Sequence, residues 1–485
     1  MEQESTEASP SLLGDLAGRL GLDVPALLYL FTFLAGFPLA YISRTFLHGQ
    51  SPTIKHTYFT VCCLVLAYLN FGYDIIHSAI SVLINYALLV TIGGTPLSVA
   101  ISFTFNMSYL LTAYIYLATD GYDLIWTTPH CILTLRLIGT AWDLYDGQKK
   151  EEQLSAEQKL FNIKTAPSLL ELAGYTYFFG GFFASPQFSL RRYLDFTKEK
   201  LLGNDKGELP SCVEPAMNRF YVGCFYVFLH CALSPFFPNE YLLSAQFANS
   251  SFPYQVFVLV FWSKSLFFKY SSVFMFTEGV CTMAGLTYNG KDEKGNALWD
   301  ACVGLRPKIF EIATISKHCV ISFNISTNLW ASRYVFKRLK FLNNKYISQA
   351  SALFFLAIWH GFFIGYFICF VQEFFVTFIE SQITDATKRI PALSKIVSTP
   401  AFDFPLFAIK LIWNKFVCGH ALAALVLLRW SRIHVVYSAM YYMPVIFYIT
   451  FPLLYSMVIL PQLNKIYKPQ TESPKDNGKE TAKTK

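Results

Sequence analysis

The sequence contains little charge for its length. Only 15% of its 485 residues are Asp, Glu, Lys or Arg, whereas soluble domains contain about 25%. None of these four residue types occurs in residues 75–119, 346–372 or 435–464. A single soluble core cannot bury so many apolar side chains, because such cores stop growing at roughly 250–300 residues. The excess apolar surface therefore requires lipid.

Other absences narrow the class of membrane protein. The uncharged runs do not alternate apolar and polar residues, which argues against barrel strands. The eleven cysteines form no C-x-x-C pair, so a disulfide framework or metal site is not indicated. The net charge of +7 is modest and does not suggest nucleic acid. No internal repeat is detectable, which argues against an inverted-repeat transporter.

What the chain does contain is a series of long apolar segments. A spanning helix needs about 20 mostly apolar residues. We therefore predict an all-α polytopic membrane bundle of roughly ten or eleven spans. The predicted apolar segments are 27–47, 56–71, 74–92, 97–118, 129–145, 219–237, 253–277, 347–379, 402–428 and 435–460.

The remaining stretches interrupt this pattern. Residues 167–190 are apolar but broken by glycine and proline, which is typical of a re-entrant or interfacial element. Residues 318–345 are predicted to be one amphipathic segment. We predict a mobile N-terminus at 1–25, one membrane-embedded domain at 26–464 and a disordered C-terminal tail at 465–485.

His360 lies in the middle of the uncharged run ALFFLAIWHGFFIGYFICF. An ionisable residue at such depth is costly unless it faces the protein interior or a water-filled path. Burial disfavours the charged imidazolium, and a neutral imidazole is suited to take a proton from an alcohol. The alternative is a histidine that joins two helices by hydrogen bonds. Gly361, which follows it, permits close approach of a ligand or a helix.

The block FNISTNLWASRYVFKRLKFLNNK at 323–345 precedes this run. Asn324 and Asn328 are spaced to share one helical face, as are Trp330 and Tyr334. The later basic residues, Lys337, Arg338 and Lys340, suit a phosphate-binding entrance. The alternatives are a solvated or headgroup-facing flank, or a determinant of topology.

This block, followed by Trp-His-Gly, resembles the membrane-bound O-acyltransferase family. Three further stretches match its lysophospholipid acyltransferase branch, so the resemblance runs over nearly the whole chain from about residue 30 to 460. These stretches are 126–147, 167–189 and 276–302.

The resemblance implies a catalytic pair and a fold. The family's membrane-embedded histidine corresponds to His360, and its upstream asparagine to Asn324; Asn328 is close enough to be confused with it. The implied fold has a buried reaction tunnel from each face of the membrane, and the two meet at the histidine. The implied reaction transfers a fatty acyl group from acyl-CoA to the free sn-2 hydroxyl of a lysophospholipid, lysophosphatidylcholine above all.

Further residues are candidates for substrate binding. Glu278, Trp299 and Asp300 lie where they could contact the headgroup or CoA, and Tyr177 where it could line the acyl-chain side. Together with Asn328, Trp330, Tyr334 and the three basic residues, they complete the predicted binding set. No histidine–carboxylate spacing resembles a metal site, and we predict no bound cofactor; acyl-CoA is a co-substrate.

Several alternatives stay open on sequence alone. The acceptor could be lysophosphatidylethanolamine, lysophosphatidylserine, lysophosphatidylinositol or a protein residue. A lipid transporter or scramblase, in which His360 gates a polar path, is the main reading from another class. The endoplasmic reticulum membrane is implied by the resemblance. The oligomeric state is not fixed by the sequence, and a homodimer is one candidate.

Overall fold

The structure is a computed structural model that describes residues 12–20, 23–118, 124–202 and 210–467. These residues are predominantly helical; they form two isolated β-bridges but no β-strand. The predictions of a mobile start and a disordered tail depend mainly on residues 1–11 and 468–485, which lie outside the described residues.

The α-helices up to residue 248 are, in chain order, α1 Leu12–Leu20, α2 Val24–Phe46, α3 Pro52–Phe71, α4 Ile76–Ile92, α5 Pro96–Tyr116, α6 Thr127–Gly147, α7 Ala156–Phe161, α8 Leu169–Thr176, α9 Phe179–Phe182, α10 Leu190–Thr197, α11 Val213–Leu233, α12 Asn239–Leu242 and α13 Ala245–Ala248. The later ones are α14 Phe252–Ala284, α15 Pro307–Glu311, α16 Ser316–Val320, α17 Ile325–Ala331, α18 Lys345–His360, α19 Ile364–Arg389, α20 Pro391–Val397, α21 Asp403–Leu427, α22 Trp430–Ala439, α23 Met443–Leu454 and α24 Leu460–Ile466.

Short helices of other types connect them. The 3₁₀-helices are Gly72–Ile75, Glu151–Gln153, Lys200–Leu202, Ser234–Phe236, Lys337–Leu342 and Pro400–Phe402, and the π-helices are Ser332–Phe336 and Tyr455–Ile459.

Seven helical stretches of the described chain are long and apolar enough to cross a membrane. The protein is therefore a multi-pass membrane protein, but the predicted count of ten or eleven spans is not confirmed. The expected segment 129–145 forms α6, which places Arg136 and Asp143 in buried positions. The seven stretches are Val24–Phe46, Pro52–Ile92, Pro96–Tyr116, Phe252–Ala284, Ile364–Arg389, Pro400–Leu427 and Met443–Ile466.

The chain forms two compact units that interleave in sequence. The first comprises the described residues within 1–110, 122–225 and 273–288, and the second comprises those within 111–121, 226–272 and 289–485. In the first unit, α3 packs against α8, and aromatic side chains form its centre. The Phe59 and Phe178 rings lie 4.9 Å apart, and both contact Tyr193.

The apolar segment 167–190 does not form one helix; it forms α8 and α9 and a buried extended stretch. Arg136, which is 1% exposed, holds this segment. Its guanidinium donates to the carbonyl oxygens of Tyr175, Thr176, Gly181 and Pro186 at 2.7–3.3 Å. Buried backbone carbonyls need hydrogen-bond partners, and here the arginine supplies them.

In the second unit, α19 packs against α18, α21 and α23. The backbones of α19 and α21 approach closely at Gly365, whose N–H donates to the carbonyl of Leu428 at 3.0 Å. A Cβ at this glycine would lie 2.0 Å from the carbonyl oxygen of Ala424. No side chain fits there, so glycine sets the separation of the two helices.

Substitution of Gly365 tests this close approach. We expect Gly365→Ala to lower the midpoint of thermal unfolding in detergent by several degrees, because overpacking costs about 1–3 kcal/mol. The matched control is Gly18→Ala in α1, where a Cβ meets nothing within 4 Å. An unchanged midpoint for Gly365→Ala would show that the two helices separate at little cost.

Candidate active site

His360 is the last residue of α18. The helix begins at Asn344, whose side chain accepts from the N–H groups of Tyr346 and Ile347, a standard N-cap. It ends at Gly361, whose φ of 132° favours glycine. The expectation of one uninterrupted helix over 347–379 is therefore wrong: the chain leaves helical geometry at 361–363 before α19 begins.

Aromatic rings surround the His360 imidazole. The Trp359 ring lies 4.7 Å away, the Tyr366 ring 5.5 Å and the Phe370 ring 5.6 Å, between ring centroids. The imidazole is half-buried. No protein group among the described residues hydrogen-bonds to it. Both ring nitrogens are therefore available to a ligand.

Two other histidines of this unit hydrogen-bond to their neighbours. Nδ1 of His420 lies 2.6 Å from Oε1 of Gln372, and its ring stacks on Tyr437 at 4.1 Å. Nδ1 of His230 lies 2.9 Å from the carbonyl oxygen of Ser265. These contacts are what a structural histidine requires. His360 lacks them, which favours a role toward substrate over the alternative of a helix-joining histidine.

Asn324 immediately precedes α17 and adopts the left-handed conformation, with φ 47° and ψ 42°. Asparagine tolerates this conformation better than most residues. Its side chain is half-buried and makes no capping hydrogen bond. The next residue is fixed, because the N–H of Ile325 donates to the carbonyl of Gly304 at 3.0 Å. No hydrogen bond between Asn324 and His360 occurs in the described part of the chain.

Asn328 has a different environment. Its Nδ2 donates to the carbonyl oxygens of Val320 and Phe323, each at 3.0 Å. The amide therefore closes the turn that precedes α17. The structure thus distinguishes two asparagines that the sequence left alike: the Asn328 amide is used internally, whereas the Asn324 amide caps nothing.

Trp330 and Tyr334 are both buried, and their rings lie 5.1 Å apart. The Trp330 ring also stacks on Phe355 of α18, with centroids 5.5 Å apart and planes at 23°. These two residues therefore pack the asparagine block against the helix that carries His360. Such packing fixes the geometry of a site.

The predicted amphipathic segment 318–345 is not one helix. It is divided among α16, α17, the π-helix Ser332–Phe336 and the 3₁₀-helix Lys337–Leu342. The last of these carries Lys337, Arg338 and Lys340; both lysines are exposed and the arginine is half-buried. π-Helical turns occur frequently at functional sites.

Trp299 and Asp300 follow a turn closed by the bridge between Lys291 and Ala297. Trp299 is buried, whereas exposed Asp300 accepts from the Asn289 amide at 2.9 Å. Within the turn, hydrogen bonds from the Asn296 side chain and backbone lower the pKa of Asp292. These contacts order the loop.

Tyr177 and Glu278 belong to the first unit. The Tyr177 hydroxyl lies 2.9 Å from Oγ of Ser78, and the ring is buried. The Glu278 carboxylate, 3% exposed, accepts from Nε of Arg219 at 2.6 Å. Both side chains are therefore held by protein partners.

Sequence reasoning missed the aromatic surround of His360 and one carboxylate close to it in sequence. Tyr366 and Phe370 are four residues apart on one face of α19, and both rings contact the imidazole. Nothing in the long uncharged run distinguishes these two residues from their apolar neighbours. Glu373 comes directly after that run. Among the described residues, no group of three or more His, Cys, Asp or Glu could hold a metal ion.

Comparison with known proteins places this site in a family. The sequence pattern of the membrane-bound O-acyltransferase family matches residues 111–419. Both members of the candidate pair, Asn324 and His360, fall within that range. The chain belongs to this family. It is therefore an O-acyltransferase.

Relatives of this O-acyltransferase carry more specific names. Lysophospholipid acyltransferase 5 of Homo sapiens is 37% identical over 460 residues, which cover 95% of this chain and 93% of that protein. The protein of the same name from Drosophila melanogaster is 39% identical over 436 residues, 89% of this chain and 87% of its own. Membrane-bound glycerophospholipid O-acyltransferase 2 of Rattus norvegicus is 28% identical over 397 residues, 78% and 75% of the two chains.

The break at Gly361 yields a prediction about this acyltransferase. We expect Gly361→Ala to lower the acyl-transfer rate at least tenfold (~1.4 kcal/mol), because a Cβ at φ 132° shifts the backbone beside His360. The new Cβ would also lie 3.2 Å from the Tyr366 ring.

The control is Gly290→Ala, at a positive φ of 83° in open space. It imposes similar backbone strain away from His360 and should leave the rate within about twofold. Equal rates for the two variants would show that the helix break does not position the histidine.

Proposed function

We propose that this protein transfers a fatty acyl group from acyl-CoA to the sn-2 hydroxyl of a lysophospholipid, with lysophosphatidylcholine as the main acceptor. The observation that carries the proposal is the unpartnered His360 imidazole, within a chain 37% identical over 95% of its length to lysophospholipid acyltransferase 5. That name supports a lysophospholipid acceptor. Lysophosphatidylethanolamine and lysophosphatidylserine share the hydroxyl and are further acceptors.

The chemistry begins at the imidazole. A glycerol hydroxyl is a poor nucleophile until a base removes its proton, and His360 serves as that base. The oxygen attacks the thioester carbonyl of acyl-CoA and forms a tetrahedral intermediate. The intermediate collapses with loss of the CoA thiolate, which takes the proton back from the imidazolium. Transfer is direct, since no serine or cysteine beside His360 suits a covalent relay.

Asn324 is the second catalytic group of the proposal. Charge develops on the carbonyl oxygen in the transition state, and a positioned amide donor stabilises it. The left-handed backbone of Asn324 and its lack of a capping bond leave the amide for this task. An alternative role is to orient the imidazole or the acceptor. Asn328 supports the site by closing the preceding turn.

The donor enters from the cytosolic side in this proposal, through a tunnel that ends at His360. CoA carries phosphates, which basic side chains bind by charge-assisted hydrogen bonds. Exposed Lys337 and Lys340, with half-buried Arg338 between them, supply such charges. The endoplasmic reticulum membrane is the proposed location.

The first experiment measures release of free CoA by purified protein in detergent, with an unsaturated acyl-CoA and a panel of lysophospholipids. We expect CoA release only when a lysophospholipid is present. His360→Ala should lower the rate by about 10²–10⁴-fold, the usual contribution of a general base.

The pair Asn324→Gly and Asn328→Ala separates catalysis from structure, because glycine removes the amide and still adopts the left-handed conformation of residue 324. The first should lower kcat by about 10²-fold or more, the cost of losing an oxyanion donor, with little change in the unfolding midpoint. Asn328→Ala should mainly lower the unfolding midpoint, because it removes the two hydrogen bonds that close the turn before α17. A folded wild-type protein that releases no CoA with any acceptor would contradict the proposed function and leave a lipid transporter as the reading to test.

The basic helix is tested through the Michaelis constant for acyl-CoA. Replacing Lys337, Arg338 and Lys340 together by alanine should raise this KM about tenfold at low salt and change kcat little. The reason is that these charges bind CoA equally in the ground state and the transition state. The effect should shrink as salt screens the charges. Lys395→Ala, at an exposed lysine of α20, is the control; an equal effect there would assign the change to overall surface charge.

A further inference from the structure

Four residues of α19 recur at the spacing of one helical face: Tyr366, Phe370, Glu373 and Thr377. The first two place their rings against the His360 imidazole. Oγ1 of Thr377 accepts from Nε2 of Gln349 on α18 at 3.1 Å. Glu373 lies between these contacts on the same face. Its side chain is therefore directed toward α18, one turn beyond the ring that packs on His360.

The Glu373 carboxyl is unusual in having no protein partner. It lies within the candidate span Ile364–Arg389 and is half-buried. Among the described residues, no hydrogen bond or ion pair reaches it. Carboxyls in membrane spans are costly, and they normally mark a binding site or a pathway.

Other carboxylates near the described helices do find partners. Glu380, two turns further along α19, accepts from the backbone and hydroxyl of Ser316. Glu311 accepts from Lys264. Among the carboxyls of the described residues that are buried or half-buried, Glu373 is thus the one without a protein partner.

We propose that Glu373 binds the cationic ammonium of the acceptor's headgroup. This inference rests on the proposed function and deepens it, since it assigns the headgroup selectivity of the same site. A quaternary or a primary ammonium carries the charge that a buried carboxylate needs. The Phe370 ring, one turn away on the same face, adds the aromatic contact that quaternary ammonium groups favour.

The separation along α19 suits such an acceptor. Three residues of α-helix rise about 4.5 Å between Phe370 and Glu373. With its hydroxyl at His360, a lysophospholipid reaches its ammonium across two glycerol carbons, the phosphate and two methylene carbons. Folded back, this chain covers a distance of the same order. The site would therefore bind the acceptor's hydroxyl at His360 and its headgroup ammonium at Glu373.

The test compares acceptors with and without an ammonium in the headgroup. Lysophosphatidylcholine and lysophosphatidylethanolamine carry an ammonium, whereas lysophosphatidylglycerol carries a glycerol instead. We expect Glu373→Gln to raise KM for the two ammonium-bearing acceptors about tenfold, with KM for lysophosphatidylglycerol changed less than about twofold. Glu373→Asp keeps the charge and should restore part of the affinity.

The control variant is Glu380→Gln on the same helix, whose carboxyl already has protein partners. It should affect all three acceptors equally. An equal loss for all three acceptors in Glu373→Gln would overturn the inference and assign Glu373 to the packing of α18 and α19. Unchanged KM values for all three would overturn it as well.

A binding measurement separates this inference from the proposed reaction. The probes are 2-deoxy analogues of lysophosphatidylcholine and lysophosphatidylglycerol, which lack the reacting hydroxyl; binding is followed by thermal shift of the full chain. If the wild-type protein is inactive but Glu373→Gln weakens only the choline probe, the headgroup site stands and the proposed reaction fails. If the choline probe does not bind, or binds both proteins equally, the inference fails whatever the activity.

Discussion

The constraint on which this structure depends is that polar backbone and ionisable side chains at membrane depth must find their partners inside the protein. The end of α18 illustrates it. The chain leaves helical geometry at Gly361, and the N–H of Gly365 then donates to the carbonyl of Leu428. This hydrogen bond to the end of α21 stabilises the break. The His360 imidazole lies next to the break, and neither of its nitrogens has a hydrogen-bond partner in the described structure.

The same constraint explains what surrounds the site. In the first unit, Arg136 satisfies four carbonyl groups of the broken segment 167–190. In the second, Gln372, His420 and Tyr437 hydrogen-bond to one another in a buried network. The His360 imidazole and the Glu373 carboxyl, by contrast, have no hydrogen-bond or ion-pair partner in the described structure.

The histidine of the candidate site could be singled out from the sequence, because an ionisable residue in a long uncharged run is costly to bury. The asparagine block and its order relative to His360 indicated the family. The helix break could not be predicted, since hydropathy continues unchanged across Gly361. Nor could the two asparagines be separated: their roles depend on the left-handed backbone of Asn324 and on the carbonyls of Val320 and Phe323, which bond to Asn328. The ten predicted segments outnumber the seven candidate stretches because 56–71 and 74–92 fall within one stretch, Pro52–Ile92, and because 129–145 and 219–237 are not among the seven.

The interleaving of the two units has a consequence for biosynthesis. The first unit includes residues 273–288, so it cannot close until the ribosome has passed that stretch. By then most of residues 226–272, which belong to the second unit, have already been inserted. Helices released early must therefore wait in the bilayer for partners made much later. Premature termination before residue 288 therefore leaves neither unit complete.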